Sequence, residues 1–215
     1  LGELHVGLVK AKVKTSPQIG LSGVPPFESR LNGLRLRAVY DQLDELDFPR
    51  SGSAARLEAF WAKDGTHDDA AIYKRADLEG IAARSWGAHT LKARVHVASV
   101  SASGNNVLDV ISVGGFQNLS GFQTGQFLVK GLGLGSLTYY QRLVGLPQPF
   151  GSGLYAGASL EYARMRSPLG VQSARIDRAG LGLFLGASTA LGPAYVGLGW
   201  GQGGHKTLYL FLGRP

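Results

Sequence analysis

Two-residue alternation, repeated almost from end to end, constrains this chain more than any other feature. Val9, Ala11 and Val13 alternate with Lys10, Lys12 and Lys14. Leu34, Leu36, Ala38 and Tyr40 alternate with Arg35, Arg37 and Asp41, and Ala55, Leu57, Ala59 and Trp61 with Arg56, Glu58 and Phe60. Leu91, Ala93, Val95 and Val97 alternate with Lys92, Arg94 and His96. Near the C-terminus, Leu181, Leu183 and Leu185 oppose Gly180, Gly182 and Phe184, Val196 and Leu198 oppose Tyr195 and Gly197, and Leu208, Leu210 and Leu212 oppose Tyr209 and Phe211. Side chains two apart share one face of a strand, so each segment is a two-faced strand. Ile72 to Ala83 has a helix-favouring composition. Its charges Arg75, Asp77 and Glu79 nevertheless keep the period of two, which predicts another strand. The total is about ten strands of an antiparallel up-and-down β-barrel, all-β, in a single domain over residues 1–215.

Both soluble and membrane barrels alternate, and they differ in which face is polar. Here the apolar faces are Leu, Val and Ala running to Tyr40, Trp61, Tyr162 and Trp200 at strand ends, as in the aromatic girdles of a bilayer interface. The other faces mix charge with glycine: Arg35, Arg37, Arg56, Glu58, Arg75, Glu79, Lys92, Arg94 and Glu161. Opposite charges can pair across neighbouring strands inside a lumen. A transmembrane barrel is therefore expected, with a soluble lipocalin-like barrel or sandwich as the alternative. No run approaches the ~20 apolar residues of a membrane helix. The net charge of +7 is spread singly along strands, not gathered in a patch, so nucleic acid is not an expected partner. The chain has no cysteine, hence no disulfide and no thiolate metal site. It begins at Leu1, from which processing or truncation at the N-terminus is expected.

One stretch breaks the alternation. Gly114 to Gly125 is rich in Gly, Asn and Gln and carries Phe116 and Phe122. A loop of this length inside a compact domain is usually functional. Gln126 to Leu143 then reads as one long strand, with Gly131, Gly133 and Gly135 on one face to admit a close neighbour.

The loop sequence G-G-F-Q-N-L-S-G-F, with Gly114, Gly115, Phe116, Leu119, Ser120, Gly121 and Phe122, resembles the inward-folding loop of Omp85-superfamily barrels. It is similar above all to the translocator barrels of patatin-like type V secretion proteins. Leu137 to Leu143, Gly153 to Ala163, Leu191 to Trp200 and Leu208 to Pro215 carry the same resemblance, and D-E-L-D-F-P-R-S-G (Asp44 to Gly52) resembles that superfamily's periplasmic turn. The resemblance implies an outer-membrane barrel whose loop folds into the lumen. It implies as partners outer-membrane lipid, the barrel assembly machinery and a passenger or substrate polypeptide, with a homodimer as one way to complete a ten-stranded barrel. The seam between Leu4–Lys14 and Thr207–Gly213 would be its lateral opening, which glycine-rich C-terminal strands would weaken. Many members carry Arg at the Ser120 position, paired with an acidic residue on the inner wall. Lys130 and Arg142 are the candidates to replace it here.

Nothing in the sequence points to catalysis. No G-x-S-x-G elbow occurs, and Gly151-Ser152-Gly153 is too short for one. His67 with Asp68 and Asp69 could hold a cation in a loop but reads as a solvated turn, and His96 reads as a lumen residue. No metal, cofactor or enzymatic activity is expected. The functions in competition are a polypeptide translocator, a passive diffusion pore and a structural, oligomeric membrane anchor.

Overall fold

A computed structural model describes residues 2–15, 27–64, 72–102, 110–145, 153–167, 174–189 and 192–213. Their elements are β1 (Gly2–Thr15), β2 (Phe27–Asp41), β3 (Ser51–Asp64), β4 (Ile72–Trp86), β5 (His89–Ala102), β6 (Ile111–Val113), β7 (Phe127–Val129), β8 (Gly131–Val144), β9 (Gly153–Arg166), β10 (Arg175–Thr189), β11 (Gly192–Gly201) and β12 (His205–Leu212). The described residues include no helix. Ten strands form one sheet in the order β1-β2-β3-β4-β5-β8-β9-β10-β11-β12, every neighbour antiparallel. The all-β antiparallel expectation holds. The ambiguous segment after Ile72 is a strand, because its alternate charges share a face with those of its neighbours: Glu79 stands in register with Arg56 and His96. The expected single strand from Gln126 to Leu143 is instead two, β7 and β8, broken at Lys130. The first of these pairs with β6 in a separate two-stranded sheet.

Consecutive antiparallel strands place their connections alternately at two ends. Residues 42–50 and the tight turn at Gly87 lie at one end, called here the turn end. The segment 110–130 and the turn at 202–204 enter from the other, the loop end. The His67, Asp68 and Asp69 group and Ser152 lie outside the described residues.

The sheet is strongly curled. Neighbouring strands are ~4.8 Å apart, so in a flat sheet β3 and β11 would stand roughly 29 Å from one another. Yet Phe48, in the turn before β3, stacks on Tyr155 of β9 at 4.1 Å and lies 5.2 Å from Tyr195 of β11. β1 and β12 are the two edges, and no pairing between them occurs among the described residues.

The two faces differ sharply. On the convex face Leu183, Leu185, Val196 and Leu210 are 45%, 60%, 51% and 80% exposed. Together with Leu34, Leu78, Val97, Leu137 and Leu160 they make an apolar surface far larger than a soluble monomer leaves open. The concave face carries the charges and two buried clusters. One cluster, at the loop end, gathers Val113, Leu119, Phe122, Val129, Leu132, Leu134 and Met165. The other is aromatic: Phe48, Phe116, Tyr140, Tyr155, Phe184, Tyr195 and Tyr209.

Phe48 reaches its cluster because Asp44 shapes the turn. Asp44 Oδ1 accepts from the backbone N–H groups of Glu45, Arg50 and Ser51 at 3.0, 2.8 and 3.0 Å. Arg50 donates to the Gly87 carbonyl at 2.6 Å, and Ser85 Oγ donates to the Arg50 carbonyl at 2.7 Å, which docks the turn on the next hairpin. Partial burial pushes the Asp44 carboxyl up, but the backbone donors outweigh it and hold it below the usual carboxylate range. Its contribution is therefore present above the pKa of the unfolded carboxyl and is lost as pH falls through the lower folded value. Asp44→Ala should open the turn and make Arg50 a trypsin site in the otherwise folded protein. Wild type should show the same cleavage with an acid-active protease only well below pH 4; resistance of the variant would remove Asp44 from this role.

Candidate functional site

The loop between β6 and β7, residues 114–126, lies across the concave face instead of projecting from the loop end. It enters and leaves through the short β6–β7 ladder, whose Val113 and Val129 are fully buried. Its deepest point is Ser120. The Ser120 N–H donates to one carboxylate oxygen of Glu161 on β9, and Ser120 Oγ donates to the other at 2.9 Å. Ser159 Oγ donates to that second oxygen at 2.5 Å. Ser120, Ser159 and Glu161 are 0%, 1% and 3% exposed. An ionised carboxylate at that depth needs such donors, and hydrogen bonds to a charged group contribute about 1.5–3 kcal/mol each. The motif's serine thus makes the contact for which Lys130 or Arg142 was the expected substitute. Lys130 ends the β7 segment, and Arg142 lies along Gly153, so neither is needed.

Further tethers tie the loop to the edge strand. Gly121 N–H donates to Tyr209 Oη at 2.9 Å, Tyr209 Oη donates to the Phe122 carbonyl at 2.8 Å, and Thr207 Oγ1 donates to the Gly121 carbonyl at 3.0 Å. On the opposite wall, Lys92 Nζ donates to Gln117 Oε1 at 3.0 Å and Arg94 to the Gln117 carbonyl at 3.3 Å. The loop therefore bridges β5, β9 and β12.

Glycines make this approach possible, though not those the sequence suggested. Of the latter, Gly131 admits the side chain of Arg166, while Gly133 and Gly135 face open space. The close contacts are at Gly180, Gly182, Gly197, Gly199 and Gly201, on the loop-facing side of β10 and β11. A Cβ on Gly182 would come within 2.6 Å of Ser159 Oγ and 2.9 Å of Ser120 Oγ; one on Gly201 would come within 2.6 Å of the Phe122 ring. Gly121 is doubly constrained, by φ +91° and by the backbone of Gly201 against it. Glycine on the inner side of β10 and β11 thus makes room for the loop. Leu119 adopts φ +94° while wholly buried, a backbone strain of order 1–3 kcal/mol that the surrounding packing must hold.

Phe116 and Phe122 are the loop's anchors at two levels. Phe116 lies 5.6 Å from Phe184, 5.5 Å from Tyr195 and 5.5 Å from Tyr209. Phe122 packs with Phe127 at 5.1 Å and His205 at 4.8 Å. Gly114 and Gly115 carry φ of +119° and +109° where the loop turns in over Gln123 and Thr124.

The predicted wall charges do share the concave face. Arg35 and Arg37 pair with Glu58 at 2.8 and 3.6 Å. Arg94 and Arg56 pair with Glu79 at 2.6 and 3.6 Å, and His96 with Asp77 at 3.2 Å. Arg75 stands beside them on β4. Of these wall charges Arg94 and Glu161 touch the loop, whereas Arg56 turns to Glu79. A cavity of about 370 Å³ remains between loop and wall, with Glu79, Lys92, Arg94 and Gln117 on one side and Ile81, Phe116 and Phe211 among its apolar lining. Among the described residues no three His, Cys, Asp or Glu side chains gather as a metal site would require. Ser159, Gln117, Thr207 and Tyr209 were missed as site residues. Only the position of Tyr209 on the polar side of its strand could have marked it.

No protein-family model matches the sequence, and neither does any curated protein.

Glu161→Ala should leave three buried donors without their acceptor and loosen the loop, while Ser120→Ala, which removes one of the three bonds, should act more weakly, by about 1.5–3 kcal/mol. Gly199→Val should evict the loop sterically. In each variant chymotrypsin should cut at Phe116 or Phe122 before any strand is cleaved; equal resistance in wild type and Gly199→Val would contradict the packing described.

Proposed function

We propose that the chain is an outer-membrane β-barrel of the Omp85 type, closest to the patatin-like translocators, which moves or inserts an attached or partner polypeptide. The observation that carries this reading is the pairing of an exposed apolar convex face with a concave face that holds a latched, inward-folded loop. A surface of Leu and Val this large suits acyl chains. Leu154 to Tyr162 on β9 spans about 26 Å at ~3.3 Å per residue. At the tilt of a membrane barrel that is roughly 20 Å of height, close to the apolar band of such proteins.

In lipid the two sheet edges cannot stay bare, since each carries a row of backbone donors and acceptors. They are satisfied by closing β1 onto β12, or by strands of a second copy in a homodimer. The loop bears on this directly. Tyr209 and Thr207 tie it to β12, so releasing the loop would also release the edge strand. That linkage fits a translocator whose wall opens for a passenger better than a passive pore, which needs an open interior. A purely structural anchor has no use for a strained, glycine-accommodated loop. The barrel assembly machinery and outer-membrane lipid are the partners that go with this reading; catalysis is no part of it.

Two measurements test it. In planar bilayers the intact protein should conduct poorly, and deletion of residues 114–125 should raise the conductance severalfold; high, steady conductance of the intact chain would favour the diffusion pore. For the faces, Leu183→Arg or Val196→Arg should cost roughly 2–4 kcal/mol of folding into bilayers. Ser188→Arg, on the loop-facing side, should cost less, as read from urea titrations in lipid vesicles. Gly182 is unsuitable as that comparator, because its packing against Ser120 makes any side chain costly.

A further inference from the structure

We infer that the convex face carries, at its loop end, a ring of cations built to hold the phosphate groups of anionic lipids in one leaflet only; this rests on the membrane reading above. The ring follows from strand register. Trp61 on β3 stands opposite Lys74 on β4, and Trp200 on β11 opposite Lys206 on β12. Tyr162 on β9 has Arg164 beside it, 3.5 Å from its hydroxyl. Each loop-end aromatic of the convex face thus has a cation against it, one step beyond the apolar band. Lys63, Arg166 and Arg175 extend the ring on the same face, all exposed. Among the described residues the carboxylates on this side are Asp177, which is held by Arg164 at 3.1 Å, and Glu28, which stands in register with Lys14.

The turn end is built differently. Its convex-face aromatics are Tyr40, Trp86 and Tyr139, and their partners are not cations of this kind. Tyr40 donates to Gln42 at 2.9 Å, while Trp86 stacks on His89, whose Nδ1 lies 2.6 Å from Tyr139 Oη. Arg84 is the one Lys or Arg on the convex side of the described strands there, and the adjoining turn carries Asp44, Glu45 and Asp47 against Arg50. Among the described residues the loop-end rim of this face is cationic, and the turn end carries more carboxylates than cations. Aromatic rings anchor at the headgroup level of either leaflet. Lysine and arginine just outside them lay their stems along the apolar surface and place their charge among phosphates. The complementary partner is a leaflet rich in anionic headgroups on the loop side, with a neutral one on the turn side.

The chain holds its own probes, because its three tryptophans divide between the rims: Trp61 and Trp200 at the loop end, Trp86 at the turn end. Three single-tryptophan variants of the full chain, with the other two changed to Phe, would be folded into phosphatidylcholine vesicles. These would contain a small fraction of brominated lipid, either brominated phosphatidylcholine or brominated phosphatidylglycerol. Brominated phosphatidylcholine should quench all three; failure to quench any would overturn the membrane reading itself. Brominated phosphatidylglycerol should quench Trp61 and Trp200 roughly two- to fivefold more than Trp86. Lys74→Gln should abolish the excess at Trp61 and Lys206→Gln the excess at Trp200, with brominated phosphatidylcholine quenching unchanged, and 0.5 M salt should weaken both. Equal phosphatidylglycerol quenching at the three tryptophans, or an excess that survives the glutamine variants, would overturn the lipid ring while leaving the barrel reading intact.

Discussion

The organisation of this protein depends on one buried carboxylate. Glu161 sits on the inner face of the sheet, and its donors come from Ser120 in the loop and from Ser159 on its own strand. Without the loop, its charge would face the interior with a single hydroxyl partner. Without the carboxylate, the Ser120 amide would be buried and unpaired. The two are stable only together, which makes the loop a part of the wall and not an appendage. The glycines of β10 and β11 serve that contact by letting the loop backbone come within van der Waals reach of the sheet.

A latch of hydroxyl and amide donors differs in kind from the arginine-to-carboxylate latch of the superfamily that the sequence resembles. A guanidinium carries its own charge into the interior, while serine supplies dipoles and leaves the carboxylate's charge uncompensated locally. Here the compensation stands further off, on Lys92 and Arg94 of β5, which hold the loop through Gln117. The interior is accordingly divided. Beneath β8 to β12 it is packed with aromatic rings; along β1 to β4 it is lined by exposed ion pairs such as Arg35–Glu58. Exposed pairs of that sort contribute little to stability.

The same two-sidedness governs the exterior. Leu183 and Leu185 lie on the face away from the loop, one position along the chain from Gly182 and Phe184, which bear on it. A one-residue slip of register would reverse every such assignment, so the loop's fit to the inner face also secures the apolar outer one. The Phe48 turn does the same at the other end. It is held in shape by Asp44 and inserted among Tyr140, Tyr155 and Tyr195. Loop and turn meet in one aromatic cluster through Phe116 and Phe48, both of which lie against Tyr195.

The amino-acid sequence alone determined the strands, their number in the main sheet and the faces of all but β1, where Lys10 and Lys12 share the convex face of Leu4, Val6 and Leu8, because a period of two is a local property. From β2 onward it exposed the wall charges as one set and the leucines as another, down to the strand at Ile72, where periodicity outweighed helical propensity. It also marked the Gly114–Gly125 loop, since that segment has no period at all. It did not reveal the partner of Ser120, the break at Lys130, or which glycines carry the loop. Gly133 and Gly199 look alike along the chain; only the second has a backbone against it. Those facts are long-range: β9 and the loop are far apart in sequence, and only the curl of the sheet brings them together. Local pattern settles what each strand is, whereas the tertiary structure decides what lies inside, because that depends on distances no sequence spacing contains.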